Sequence, residues 1–262
     1  MVAADRRELE AVCRAGSSPT RVASDVRWSA HAQIQGEYAC LATHGPGREN
    51  AGFATRWACE RYPIETVVST GLAGALDPAL RVGELVWAQR IIELESRVEY
   101  PVRLPLCASL EGLPDVAIGK LLTVDRVVQN PAEKAELRKT GARAVDMEAA
   151  AVAAEADRRG LPFFCIRAVS DTVETRFEID FNRARRGNGT FSGWRILGQA
   201  GLSRRRWAHL KALRRDAEEA FDALGVFFGR CRLSDEANRQ ARYGREPFDA
   251  CCCLQGSTTS GP

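Results

Sequence analysis

The chain has 262 residues, 45% of them hydrophobic and 27% charged, with a formal net charge of +3. That length can bury a sizeable core in one or two α/β domains, and the composition is ordinary for a globular protein. So small a charge gives no reason to expect nucleic acid as a partner, and no run approaches the ~18 apolar residues of a membrane-spanning helix. The opening MVAADRRELE does not read as a signal peptide. Nine cysteines occur without a CxxC pair or a His–Cys ligand spacing, so neither zinc nor another metal is expected. Reduced thiols in a cytoplasmic protein are the expectation.

In chain order, Glu8 lies in AADRRELEAV, an amphipathic helical start. Residues 40–43 read as a strand running into a Gly-Pro-Gly loop at 45–47, and 50–62 as a helix ended by Pro63. A strand at 66–70 leads directly into GLAGAL at 71–76. Gly71 and Gly74 there would let backbone come close to a ligand, and a loop of free N–H groups can hold anionic or polar atoms. A plain turn fits the same residues equally well. Residues 81–84 make a turn before a strand at 85–88, extendable to Leu94, and 95–115 is irregular, with Pro101, Pro105 and Pro114. A strand at 120–124 is followed by Asp125 and a helix at 131–140 with Pro131 in its first turn.

The stretch AVDMEAAAVAAEADRRGLPFFCIRAVSD, 144–171, carries the clearest pattern. A short strand at 144–147 precedes an Ala-rich helix at 148–159, which Gly160 and Pro162 stop. An apolar run at 163–169 is fit for a buried strand. Strand, helix, strand in this span is the βαβ signature of parallel pairing. Glu148 and Asp171 then close two strands on one edge, where ligands bind in open α/β sheets. The plainer alternatives are a first-turn acid for Glu148 and a cap or turn residue for Asp171.

Beyond Asp171 the character changes. Residues 182–215 hold ten Arg or Lys and no acid. An amphipathic helix follows at 203–230, with Trp207, Leu210, Leu213, Ala217, Phe221 and Leu224 on one face. Apolar periodicity then ends, which divides the chain into a domain at 1–232 and a disordered tail at 233–262. The basic stretch, beside Trp194 and Trp207, is a candidate for peripheral contact with an anionic bilayer. A solvated helix face or an oligomer contact would produce the same pattern.

STGLAGALDPALRVGELVWA, TVDRVV, AVDMEAAAVA and FCIRAVSD stand in the order found in the nucleoside phosphorylase and methylthioadenosine/S-adenosylhomocysteine nucleosidase superfamily, which residues 1–175 resemble. The distal part, with its basic stretch, is more similar to the hopanoid-biosynthesis-associated branch, whose members are thought to remove adenine from adenosylhopane. The resemblance implies a three-layer αβα fold around a central mixed β-sheet, and an enzyme that cuts the N-glycosidic bond of a purine nucleoside without metal or organic cofactor. By motif, Asp171 corresponds to the acid that protonates the purine at N7. Glu148 corresponds to the carboxylate gripping the ribose hydroxyls, and Met147 to the residue packed on the sugar. Val127 and Val128 fall at the base-binding positions, and Leu72, Ala73 and Gly74 complete the substrate-binding set. Glu8 aligns with the carboxylate that positions attacking water. A homo-oligomer is the family default.

Two departures from the pattern bear on the acceptor. Only Met1 and Val2 precede the residues matching Ala3 and Ala4, where members usually begin with a full strand. Leu72 replaces a small hydroxyl residue that contacts phosphate or water, and Ser69 stands where hexameric purine phosphorylases place a phosphate-binding Arg. Both weaken the case for phosphorolysis, although Arg6, Arg7 and Arg48 remain as positive charge. The alternatives are phosphorolytic cleavage, a Mg²⁺-dependent phosphoryl transfer through Asp146, Glu148 and Asp171, and a non-catalytic nucleoside-binding domain.

Overall fold

The computed structural model of the chain describes residues 1–104, 106–107 and 113–232. The expected disordered tail, 233–262, lies outside the described residues, as does part of the irregular segment at 95–115. The elements in order are α1 (Arg6–Val12), β1 (Thr20–Arg21), β2 (Trp28–Ile34), β3 (Glu37–Thr43), α2 (Arg48–Arg61), β4 (Val67–Ala75), β5 (Leu85–Glu93), β6 (Glu99–Pro101), β7 (Leu106–Cys107) and β8 (Val116–Thr123). They continue with α3 (Pro131–Arg138), β9 (Ala142–Asp146), α4 (Ala149–Arg158), β10 (Phe163–Asp171), α5 (Phe181–Ala184), α6 (Gly193–Ala200), α7 (Arg204–Arg230) and β11 (Cys231–Arg232).

The main sheet is mixed, in the order β10-β4-β9-β8-β5-β6, and β10 also pairs with β5, so five strands close on themselves. A meander of β1, β2 and β3 stands beside it. Met1 and Val2 fill the slot between the two: Val2 bridges to Ala42 on β3 and to Ser69 on β4. Alternation along β10 explains the layers. Phe163, Cys165 and Val169 join Ala51, Ala54 and Trp57 of α2 and Ala149, Val152 and Ala153 of α4 in one apolar cluster. Phe164, Ile166 and Ala168 join Leu9 and Val12 of α1 and Leu224, Phe227 and Phe228 of α7 in another. A strand buried on both faces reads as a continuous apolar run, and the alanines of α4 allow close approach of α2. The expected three-layer arrangement of helices, sheet and helices results.

Three expectations need correction. First, β9 and β10 are not a parallel pair: β4 lies between them, parallel to β10 and antiparallel to β9. Their ends nevertheless converge, because Gly74 of β4 is the register partner of both Asp171 and Val145. Second, GLAGA is no loop of free amides; it is the second half of β4, laddered to Arg167, Ala168, Val169 and Asp171. Third, the face expected along 203–230 is buried only from Ala220 onward, and the first half of α7 stands off the core. The thiols also differ from expectation: Cys13, Cys40, Cys59 and Cys165 are free, but Cys231 is disulfide-bonded. Among the described residues, no helix is long and apolar enough to cross a membrane.

Candidate active site

Glu8 enters the site because α1 begins with a capping box. The Asp5 side chain accepts from Arg7 N–H, and Glu8 Oε2 accepts from Asp5 N–H at 2.8 Å. The other oxygen, Oε1, accepts from Leu72 N–H on β4 at 3.0 Å. The carboxyl is thus held between a helix start and a strand. Close approach requires Gly71: a Cβ there would come within 2.7 Å of Glu8 Oε1, and its φ is +138°. Burial pushes the Glu8 carboxyl above its ordinary range, against the two backbone N–H groups that favour the ion.

Glu148 is freed for the site by its neighbour. Asp146 Oδ2 accepts from Ala149 N–H at 2.8 Å and from Glu148 N–H at 3.3 Å, so Asp146 caps α4. Glu148 reaches away from its helix, and its Oε1 accepts from Gly47 N–H at 2.7 Å. Gly47 takes φ +97°, a conformation that favours glycine, which ties the Gly-Pro-Gly loop to the site. Burial first and the adjacent Asp146 second push Glu148 up to about 7. Met147 is half-buried beside it, with its N–H 3.3 Å from Glu148 Oε2.

The charge that holds these carboxylates together is Arg167, only 1% exposed. Its Nη2 donates to Asp146 Oδ2 at 2.6 Å and to Ser69 Oγ at 2.8 Å. Its positive charge favours the ionised forms of both Glu8 and Glu148. Asp146 is thus in direct contact with the guanidinium, while Glu8 and Glu148 feel its charge. Asp146 is spent on Arg167, on Thr123 Oγ1 at 2.6 Å and on the α4 cap, which leaves it unsuited to the Mg²⁺ reading.

Asp171 stands at the other end of the same stretch of β4. A Cβ on Gly74 would lie 2.9 Å from Asp171 Oδ2. Ser170 Oγ donates to Asp171 Oδ1 at 2.8 Å, and Oδ2 forms an ion pair with Lys134 of α3, whose side chain is fully buried. Gly71 to Gly74 thus runs from Glu8 to Asp171, about 10 Å along a strand, which is the length scale of a nucleoside. Leu72 is half-buried and Ala73 buried on this wall. Val127 and Val128 lie on a segment joined to α5: Asn182 Oδ1 accepts from Val127 N–H and Nδ2 donates to Val127 C=O, both at 2.8 Å.

Sequence reasoning missed Arg167, Lys134 and Gly47. Arg167 was overlooked inside an apolar run, although a lone cation in a buried strand demands a partner. Lys134 carried one weak signal, standing three residues before the buried Leu137 and so on the inner face of α3. A separate cavity of about 580 Å³ between Tyr100–Arg103 and Leu161–Phe163 contains none of the site residues.

The model of the phosphorylase superfamily matches residues 2–188. The chain belongs to that superfamily. It is an enzyme of the N-ribosyl nucleosidase or nucleoside phosphorylase type. The 5′-methylthioadenosine/S-adenosylhomocysteine nucleosidase of Mycobacterium bovis is 29% identical over 194 residues, covering 58% of this chain and 76% of its own. That of Geobacillus thermodenitrificans is 30% identical over 175 residues, covering 58% and 74%. Among solved structures, the Neisseria meningitidis nucleosidase in complex with methylthio-immucillin-A gives a TM-score of 0.65 at 22% identity, covering 87% of this chain and 96% of that one. Futalosine hydrolase of Helicobacter pylori gives 0.63 at 16% identity, covering 86% and 93%. These likenesses show the mixed-sheet α/β fold of the superfamily.

Proposed function

We propose that the enzyme hydrolyses the N-glycosidic bond of an adenine nucleoside, releasing adenine and the free sugar. In this reading Asp171 takes up a proton as the nucleoside binds and gives it to N7, the C1′–N9 bond breaks with its electron pair going to the purine, and an oxocarbenium-like sugar remains. The Asp171 carboxylate left behind is balanced by Lys134. Glu148 holds the ribose hydroxyls and binds more tightly as positive charge develops, with Met147 against the sugar. Water adds to C1′ and loses its proton to Glu8, while Val127 and Val128 flank the base and Leu72, Ala73 and Gly74 line the wall between. Burial that raises Glu8 makes it a better proton acceptor.

The observation that carries hydrolysis over phosphorolysis is the hydrogen bond from Leu72 N–H to Glu8. It commits an amide of the wall that would face phosphate to a carboxylate, and a second anion is repelled from that seat. The candidate cations are engaged as well: Arg6 pairs with Glu10, Arg7 with Asp5, and Arg48 with Glu93 and Glu95. The 5′ substituent is the finer question. Relatives are named for methylthioadenosine, S-adenosylhomocysteine and futalosine, and an adenosylhopane-type substrate is the further alternative.

The test is adenine release from adenosine and 5′-substituted adenosines in phosphate-free buffer, then with phosphate added. Release indifferent to phosphate and abolished in Glu8→Gln is expected. Release that requires phosphate and yields ribose 1-phosphate would overturn the reading.

A further inference from the structure

Away from the carboxylates, one surface collects features that the reaction does not use. Of the ten large hydrophobic side chains exposed among the described residues, four lie between 194 and 207: Trp194, Leu197, Leu202 and Trp207. Trp194 is 82% exposed, and Leu202, at the turn between α6 and α7, is completely so. The turn that carries them is held in place. Trp207 Nε1 donates to Gly201 C=O at 2.9 Å, and Arg206 binds the carbonyl of Gln199, so the turn is bonded to the first turns of α7. Arg195 reaches back to the carbonyls of Arg183 and Arg185. A cavity of about 450 Å³ lined by Arg183, Arg195, Gly198 and Gln199 opens on the same arm.

We propose that this arm, α5 to the first half of α7, seats on an anionic phospholipid bilayer. Trp194, Leu197 and Leu202 enter the boundary between headgroups and acyl chains, as the apolar side of an interfacial helix does. The arginines, with the cavity between Arg183 and Arg195, meet lipid phosphates, which guanidinium groups bind through paired N–H donors. Charge sign selects this occupant. Ten cations and no acid lie between residues 182 and 215. A symmetric contact between two copies places the same patch on both sides, so it would set this charge against itself. A nucleic acid would match the charge, but it would offer no apolar medium wide enough for Trp194, Leu197 and Leu202 together.

The arm is joined to the site rather than merely near it. Gln199 exchanges two hydrogen bonds with the backbone of Asp180, at 2.7 and 2.9 Å. The side chain of Gln129, one residue past Val128, binds Asp180 Oδ1 and Phe181 N–H. Arg205 of α7 pairs with Glu178. A bilayer that held the arm would therefore hold the segment at 177–182 against Val127 to Gln129.

Flotation of the full chain with vesicles of phosphatidylcholine plus phosphatidylserine, and of phosphatidylcholine alone, tests the proposal. Co-flotation is expected only with the anionic vesicles, together with quenching of Trp194 fluorescence by brominated lipid that Trp194→Phe removes. Trp194→Ser with Leu202→Ser should abolish flotation and leave turnover of a soluble nucleoside unchanged. Arg204→Gln should weaken partitioning about fivefold, the equivalent of ~1 kcal/mol per surface cation. Four results would overturn the proposal: no flotation; flotation insensitive to the double variant; sedimentation showing that the double variant splits an oligomer; or DNA binding that competes with vesicles and ignores Leu202→Ser.

Discussion

Glu148→Gln should make the protein less active and, above neutral pH, more stable. Burial and Asp146 raise the Glu148 carboxyl from 4.5 to about 7. A carboxyl raised on folding favours the folded state fully below its unfolded value, and that advantage disappears as pH rises through the folded value. At ~1.4 kcal/mol for each tenfold change, the interval from 4.5 to about 7 amounts to roughly 3 kcal/mol. Gln keeps the shape and can still accept from Gly47 N–H, but its amide would face Met147 N–H, a loss of about 1 kcal/mol at every pH. The variant should therefore be about as stable as wild type at pH 5, where roughly 1 kcal/mol of the wild-type advantage has already gone, and about 2 kcal/mol more stable at pH 8. Glu8, raised in the same direction, is present in both proteins and largely cancels. Urea unfolding followed by circular dichroism from pH 5 to pH 8 measures the difference, beside turnover on adenosine. Wild-type turnover should climb with pH as Glu148 ionises, and kcat of the variant should be low throughout. Stability curves that run parallel across the range would refute the reasoning.

Two further outcomes follow from the other end of the site and from its wall. Lys134→Met strands the Asp171 carboxylate in a buried position and should cost about 3–5 kcal/mol in a melting experiment; Asp171→Asn strands the buried Lys134 ammonium instead, so it should cost a similar amount and also cut kcat by roughly 10²–10⁴-fold; a Lys134→Met protein that melts like wild type would remove the pair as a structural element. Gly71→Ala brings a Cβ to 2.7 Å from Glu8 Oε1 at φ +138°, and should lower turnover at least about tenfold while costing ~1–3 kcal/mol. Gly141→Ala, at φ +79° with open space around it, is the control for backbone strain alone and should leave turnover intact.

How much of this was legible in the sequence depended on whether a residue's partner was local. The α4 segment and the apolar run of β10 were readable because propensity and patterning act within a few residues. Glu148 and Asp171 stood out as candidates because they terminate such elements. The wrong pairing of β9 with β10 came from treating sequence neighbours as sheet neighbours; the intervening β4 arrives from some 70 residues upstream. GLAGA read as a loop because two glycines usually break a strand, whereas here Gly71 and Gly74 leave room for the Glu8 and Asp171 carboxylates. Arg167 and Lys134 were invisible for a related reason. Each is a cation whose acid lies on another element, and a charge in a buried segment declares that a partner exists without naming it.

The wall between Glu8 and Asp171 is a strand laddered to β10 along its length and joined to β9 at Gly74, and that divides the labour of adaptation. Positions 71–74 cannot shift register without dislodging Arg167 and Asp171 together, so this side has little freedom to follow a change of substrate. The facing segments, 125–130 and 172–182, carry few ladder bonds and are joined mainly by the side chains of Asn182 and Gln129. New specificity within this architecture should therefore arise by swapping residues in those two segments, with the chemistry inherited unchanged from the strand.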